Sequence, residues 1–219
     1  MEEINFIELW KEQTAKIEAS LSINRRLLLE NLTGKANKTL RSFIRGKAIG
    51  IVIAVFYLVL LGIPLFFALF HYSRAANYFI VSFGAILLIN LKALYDYIHQ
   101  LVLANSIEYN DCITDAQQKL ARLQLSVMQH IRTMFLQLPF WTTFFLSSKW
   151  FPSQVSVGML VFQTTLTLSF AVLAVYLYRQ LSPKNISKKW VKSILSGAGS
   201  KKINEAMAFY KEIETFTNS

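Results

Sequence analysis

The side chains that most often perform chemistry are sparse in this chain. His71, His99 and His130 lack the i, i+4 spacing of a metal site on one helix, and the last two are expected on helix surfaces. Cys112 has no second cysteine and no nearby histidine, which argues against a disulfide, a thiolate metal site or an activated nucleophile. The GAGSKK segment at 197–202 lacks the spacing of a phosphate-binding loop. We therefore expect no enzyme activity, no metal and no cofactor.

The composition is that of a membrane protein with an acidic partner. Hydrophobic residues make up 53% of the 219 residues and charged residues only 16%, whereas an ordinary soluble domain has about 25% charged residues. The 23 Lys and Arg residues exceed the 13 Asp and Glu residues, which gives a formal net charge of +10. A basic excess of this size points to an acidic partner, which could be anionic lipid, nucleic acid or an acidic protein surface.

Four apolar stretches predict membrane spans, at 48–70, 76–95, 133–148 and 155–178. The first and last carry no charge and exceed the about 20 residues that a spanning helix needs. The third is the weakest because it is short and contains Gln137 and Pro139, so a kinked or re-entrant segment is the alternative. The fold class predicted is an all-α polytopic membrane protein with four transmembrane helices and cytoplasmic amphipathic helices.

The basic residues predict the orientation. Nine Lys and Arg precede residue 48, three lie in 96–132 and eight follow residue 178, but the connectors 71–75 and 149–154 hold one each. The positive-inside rule places both termini and the middle segment in the cytoplasm. The predicted divisions are a cytoplasmic tail at 1–47, spans at 48–95, a cytoplasmic segment at 96–132, spans at 133–178 and a cytoplasmic tail at 179–219.

The cytoplasmic segments carry apolar stripes and basic clusters. The N-terminal tail is predicted to form two short helices, the second ending at Gly34. We expect it to pack with the apolar stripe on 114–134 and with the helix after residue 200. The residues expected to bind a cytoplasmic protein are Leu9, Trp10, Ile17, Leu27 and Leu28. Those expected at the membrane interface on anionic lipid are Arg41, Arg45, Lys47, Lys188, Lys189, Trp190 and Lys192. The basic stretch 35–47 could instead bind an acidic partner.

The order of these pieces resembles a group of small bacterial four-helix inner-membrane proteins, some associated with extracytoplasmic-function sigma factors. Three segments carry the resemblance: ELWKEQTAKIEASLSINRRLLLE (Glu8–Glu30), SIEYNDCITDAQQKLARLQ (Ser106–Gln124) and SPKNISKKW with GAGSKKINEAMAFYKEIETF (Ser182–Phe216). The resemblance implies a multi-pass protein of the bacterial cytoplasmic membrane that restrains a cytoplasmic regulator, as an anti-sigma factor restrains a sigma factor.

Two functions are therefore expected from the sequence. The first is a membrane-anchored regulatory or scaffold protein that binds a cytoplasmic protein and makes no direct contact with nucleic acid. A second copy of the chain is a further expected partner. The alternative is a small oligomeric channel or transporter lined by the uncharged polar side chains of the fourth span, among them Gln163 and Thr167.

Overall fold

The computed structural model describes residues 2–107, 113–186 and 188–218. Within these ranges the chain is helical and forms no strand, which confirms the predicted all-α class. The α-helices, in chain order, are α1 Glu2–Phe70, α2 Asn77–Asn105, α3 Ile113–Met134, α4 Val157–Gln180, α5 Lys189–Leu195 and α6 Lys201–Asn218.

The first helix is one continuous rod of 69 residues. The prediction of two short helices ending at Gly34 is wrong, because Gly34 lies inside α1 and the helix continues into the apolar stretch without a break. A glycine inside a helix costs only about 1 kcal/mol. Leu32 and Ala36, on either side of Gly34, are buried in the helical core, and their packing outweighs that cost.

Three of the described helices are long and apolar enough to cross a membrane. They lie within Glu8–Phe70, Arg74–Asn105 and Val157–Gln180. The third predicted span, at 133–148, is not confirmed as a transmembrane helix, because α3 ends at Met134 and is followed by a 3-10 helix at Phe135–Thr142 and then by turns. Pro139 lies inside that 3-10 helix. Proline has no N–H to donate and its ring clashes with an α-helical turn, which accounts for the change of helix type.

The chain from His130 to Phe151, which contains this third apolar segment, nevertheless runs alongside α2 in the opposite direction. Four contacts record its course: His130 with Tyr97, Gln137 with Asn90, Thr143 with Ser82, and Phe151 with Tyr78. The two hydrogen bonds in this series measure 3.1 and 2.8 Å. Only the contacts with Asn90 and Ser82 belong to 133–148. With the hydrogen bond from the Ser148 N–H to the carbonyl of Ala75, they follow residues 75–90, which extend over roughly 20 Å at 1.5 Å per residue. The segment therefore covers roughly two thirds of the about 30 Å thickness of a bilayer's hydrocarbon core.

The amphipathic segments pack together into one helical core. Its buried side chains come from four helices: Leu32, Ala36, Leu40 and Phe43 of α1; Ala104 at the end of α2; Ala116, Leu120, Leu123 and Val127 of α3; and Ile203, Ala206, Tyr210 and Ile213 of α6. The predicted packing of the α3 stripe and of the C-terminal helix is thus confirmed. A smaller cluster of Met128, Leu181, Val191 and Leu195 fixes α5 against α3.

Candidate functional site

The N-terminal part of α1 stands away from the helical core. Residues 8–24 are exposed except for Thr14, so this stretch has no packing partner among the described residues. It extends over roughly 25 Å at 1.5 Å per residue. Arg25 marks its end, where the guanidinium donates a hydrogen bond to the carbonyl of Phe216 in α6. The projecting stretch, 8–24, is therefore available for a partner.

The five predicted partner-binding residues are all exposed but do not share one face. Trp10, Ile17 and Leu28 lie on one stripe of α1, and Leu21, 61% exposed, joins them. At 3.6 residues per turn this apolar stripe is centred roughly 80° from the face that α1 buries in the core. Leu9 and Leu27 lie roughly 100° further round, directly opposite the buried face. The core therefore cannot cover the apolar stripe without a rotation of α1.

The predicted membrane-interface residues differ in their exposure. Arg41 and Arg45 on α1, and the α5 group Lys188, Lys189, Trp190 and Lys192, are exposed. Lys47 is instead buried, with a 7% exposed fraction. Its ammonium lies 4.5 Å from the ring centre of Tyr97 and 5.4 Å from that of Phe43. Burial lowers the pKa of Lys47 to about 8 because it disfavours the charged ammonium.

A cavity of about 350 Å³ opens beside Lys47. On one side α1 contributes Gly46, Lys47 and Gly50, and α2 contributes Tyr97. The glycine-rich turn at 196–199 closes the opposite side. We refer to this space as the lysine cavity, because two more lysines at the start of α6 also line it.

Those two lysines were missed as site residues in the sequence analysis. Lys201 and Lys202 both line the lysine cavity. The ammonium of Lys202 donates hydrogen bonds to the hydroxyl and the carbonyl oxygen of Ser42, at 2.8 and 3.1 Å. Their place beside Lys47 depends on the contact between α1 and α6, and no spacing in the sequence encodes that contact.

Gly199 fixes the turn that closes the cavity. Its φ of 98° lies in the left-handed region that side-chain-bearing residues rarely adopt. A Cβ built on Gly199 would lie 2.9 and 3.0 Å from two ring carbons of Phe43. Glycine is thus required here both by the backbone angle and by the close approach of Phe43.

A second polar cluster lies between α2 and α3. Lys92 pairs with Asp96 at 2.8 Å, and the Nδ1 atom of His130 lies 3.5 Å from the same carboxylate. The prediction that His130 lies on a helix surface is wrong, because only 5% of it is exposed. Burial, followed by the positive charge of Lys47, lowers the pKa of His130 to about 4. His130 is therefore held neutral at physiological pH.

The polar residues of α4 that suggested a channel take part in packing. Gln163 is 5% exposed, and its side-chain amide donates to the carbonyl of Thr142 and to the hydroxyl of Thr167. The hydroxyls of Thr142 and Thr167 are 3.0 Å apart. These contacts join α4 to the third apolar segment.

Among the described residues there is no group of three or more His, Cys, Asp or Glu side chains that could hold a metal ion. Cys112, the one candidate nucleophile that the sequence offered, lies outside the described residues. Comparisons of the chain with protein-family models, curated proteins and solved structures give no match.

Proposed function

We propose that this protein is a multi-pass scaffold or regulatory protein of the bacterial cytoplasmic membrane, which presents the projecting stretch of α1 to a cytoplasmic protein. The observation that carries the proposal is the apolar stripe of Trp10, Ile17, Leu21 and Leu28, which is exposed and turned away from the core. Contiguous exposed apolar surface on a protein is typical of a binding site. Helices with such stripes commonly lie in hydrophobic grooves of their partners.

The proposed topology has four crossings, of which the third is not an α-helix. Two observations support it: the third apolar segment lies against residues 75–90 for roughly 20 Å, about two thirds of the thickness of a hydrocarbon core, and 20 of the 23 basic residues fall in the three segments assigned to the cytoplasm. Both termini, the helical core and the lysine cavity are then cytoplasmic, and the basic interface residues contact anionic lipid.

A crossing that is not an α-helix requires its backbone polar groups to be satisfied within the protein. The third apolar segment meets this requirement at the carbonyls near Pro139. The Thr142 hydroxyl donates to the Pro139 carbonyl at 2.7 Å, and the Gln163 amide donates to the Thr142 carbonyl. The Thr143 hydroxyl approaches the Phe140 carbonyl at 3.3 Å. Side chains therefore replace hydrogen bonds that an α-helix would have made along its backbone.

The partner we propose is a different cytoplasmic protein with an apolar groove, and a sigma factor is the candidate that the family resemblance implies. A second copy of the chain fits the stripe less well. In a parallel pair, Thr14 and Asn24 would occupy core positions between Trp10, Ile17 and Leu28. Polar residues at such positions lower the stability of a coiled coil, and this seam is less than three heptads long.

Site-specific photo-crosslinking in cells tests the proposal. A photoreactive residue at Ile17 should capture one protein partner, and the same residue at Glu12, on the opposite side of α1, should not. The stripe variant Trp10→Ala, Ile17→Ala, Leu28→Ala should lose that partner in affinity capture. The matched variant Glu12→Gln, Arg26→Gln should keep it, because both side chains are exposed and only their i, i+4 ion pairs change.

Equal capture by the stripe variant and by wild type would contradict the proposal. Crosslinking of Ile17 only to another copy of the chain would instead assign the stripe to self-association. The channel alternative gains no support from Gln163 and Thr167, because both side chains are engaged in hydrogen bonds with the third apolar segment.

A further inference from the structure

The lysine cavity has the charge of an anion-binding site. Lys47, Lys201 and Lys202 line it, and none of its lining residues in the described part of the chain is an aspartate or a glutamate. Exposed basic side chains on a surface are ordinarily solvated. Here Lys47 is buried, Lys202 is half-buried and Lys201 is exposed, and all three border one half-open cavity of about 350 Å³.

Lys47 is the group that most needs a ligand there. Its ammonium forms no hydrogen bond or ion pair with any described residue, and its neighbours on α1 and α2 are the rings of Phe43 and Tyr97. A buried charge without an acceptor is costly. An anionic oxygen in the lysine cavity would supply the missing acceptor in a charge-assisted hydrogen bond.

The position of the cavity along α1 indicates a lipid rather than a dissolved anion. Lys47 immediately precedes the uncharged apolar stretch, and Gly46 and Gly50 line the cavity at its start. Ile53 lies on the same helix face, seven residues after Gly46 and three after Gly50, and is 62% exposed. Lys47 follows Gly46 directly, so the lysine cavity places an ammonium close to the start of this exposed apolar face, as the phosphate and acyl chains of a phospholipid require.

We propose that the lysine cavity binds the phosphate group of an anionic phospholipid, with Lys47 as its principal ligand and Lys201 and Lys202 completing the site. The acyl chains lie along α1 past Ile53. The turn at 196–199 forms the far wall, so bound lipid also joins α1 to the start of α6. This inference rests on the proposed membrane placement but not on the proposed protein partner.

Titration of the purified full-length protein in detergent, followed by native mass spectrometry, tests the proposal. The probes are phosphatidylglycerol, zwitterionic phosphatidylcholine and inorganic phosphate. Wild type should bind phosphatidylglycerol more tightly than phosphatidylcholine, and Lys47→Gln should weaken phosphatidylglycerol binding by about tenfold or more. Arg45→Gln removes the same charge from an exposed neighbour and should change binding by less than about threefold.

Gly46→Leu provides an independent variant if Lys47→Gln does not fold. A Cβ on Gly46 meets nothing within 4 Å, so the leucine should fill the lysine cavity without disturbing the fold and should block phosphatidylglycerol binding while leaving all charges in place. Equal effects of Lys47→Gln and Arg45→Gln, or unchanged binding by Gly46→Leu, would overturn the proposal. Displacement of phosphatidylglycerol by equimolar inorganic phosphate would assign the site to a free anion instead. Because the titration contains no protein partner, its outcome is independent of the crosslinking result.

Discussion

Gly199→Ala should destabilise the contact between α1 and α6 through two separate effects. An alanine at a φ of 98° leaves the regions that L-residues favour, at a cost of about 1–2 kcal/mol. Its Cβ would also lie 2.9 Å from a ring carbon of Phe43, which is itself only 2% exposed. Relief of such overpacking in a filled core costs about 1–3 kcal/mol. Together the two effects amount to about 2–5 kcal/mol.

Thermal unfolding of the full-length protein in detergent, followed by tryptophan fluorescence, measures this cost. For a chain of this length the expected fall in Tm is roughly 4–20 °C. Gly197→Ala is the matched control, because a Cβ there meets nothing within 4 Å, and its Tm should stay within a few degrees of wild type. Phe43→Leu should reduce the additional loss caused by Gly199→Ala, since part of that loss is the clash. Equal Tm values for Gly199→Ala and Gly197→Ala would refute the geometry of this turn.

Three further outcomes follow from the buried contacts. The pKa of His130 is lowered to about 4 in the folded protein, so unfolding takes up a proton once the pH falls below 6.5. The free energy of unfolding should therefore fall by about 3 kcal/mol between pH 6.5 and 4. In thermal melts recorded across that range, His130→Gln should flatten this dependence on pH. Leu120→Ala, at a fully buried core position, should lower the free energy of unfolding in detergent by about 2–5 kcal/mol. Leu125→Ala, at a residue that is 41% exposed, should lower it by less than about 0.5 kcal/mol. Equal losses would contradict the described core. Gln163→Leu should cost about 1 kcal/mol by removing two hydrogen bonds, and full stability of this variant would show that α4 does not depend on them.

The sequence predicted well those features that depend on local periodicity. The 3–4 spacing of Leu120, Leu123 and Val127 correctly predicted the buried face of α3. Long uncharged runs correctly predicted that the C-terminal part of α1 and the helix α4 are apolar enough to cross a membrane. It predicted the break at Gly34 wrongly, because helix propensity is a weak force beside the burial of Leu32 and Ala36. Tertiary packing, which a single sequence does not display, decided that element.

The lysine cavity was only partly accessible to sequence reasoning. Lys47 was correctly singled out, but as an exposed interface residue, because its burial depends on Phe43 and Tyr97 from two helices. Lys201 and Lys202 lie about 150 residues away in sequence, and only the contact between α1 and α6 brings them to the same space. His130 was missed for the same reason, since its partner Asp96 belongs to another helix.

The arrangement of the chain across the membrane is tested most directly by single cysteines in a Cys112→Ser background, labelled in intact cells with a membrane-impermeant thiol reagent. Suitable positions are Ser20, Ser153 and Ser193, which are all exposed and lie in the three regions whose sides must be determined. Four crossings predict labelling from outside at position 153 alone, with positions 20 and 193 labelled only after the cells are opened. Labelling of position 20 in intact cells would contradict a cytoplasmic location for α1's projecting stretch, and labelling of position 193 would contradict a cytoplasmic location for the lysine cavity. Protection of position 153 would contradict the four crossings.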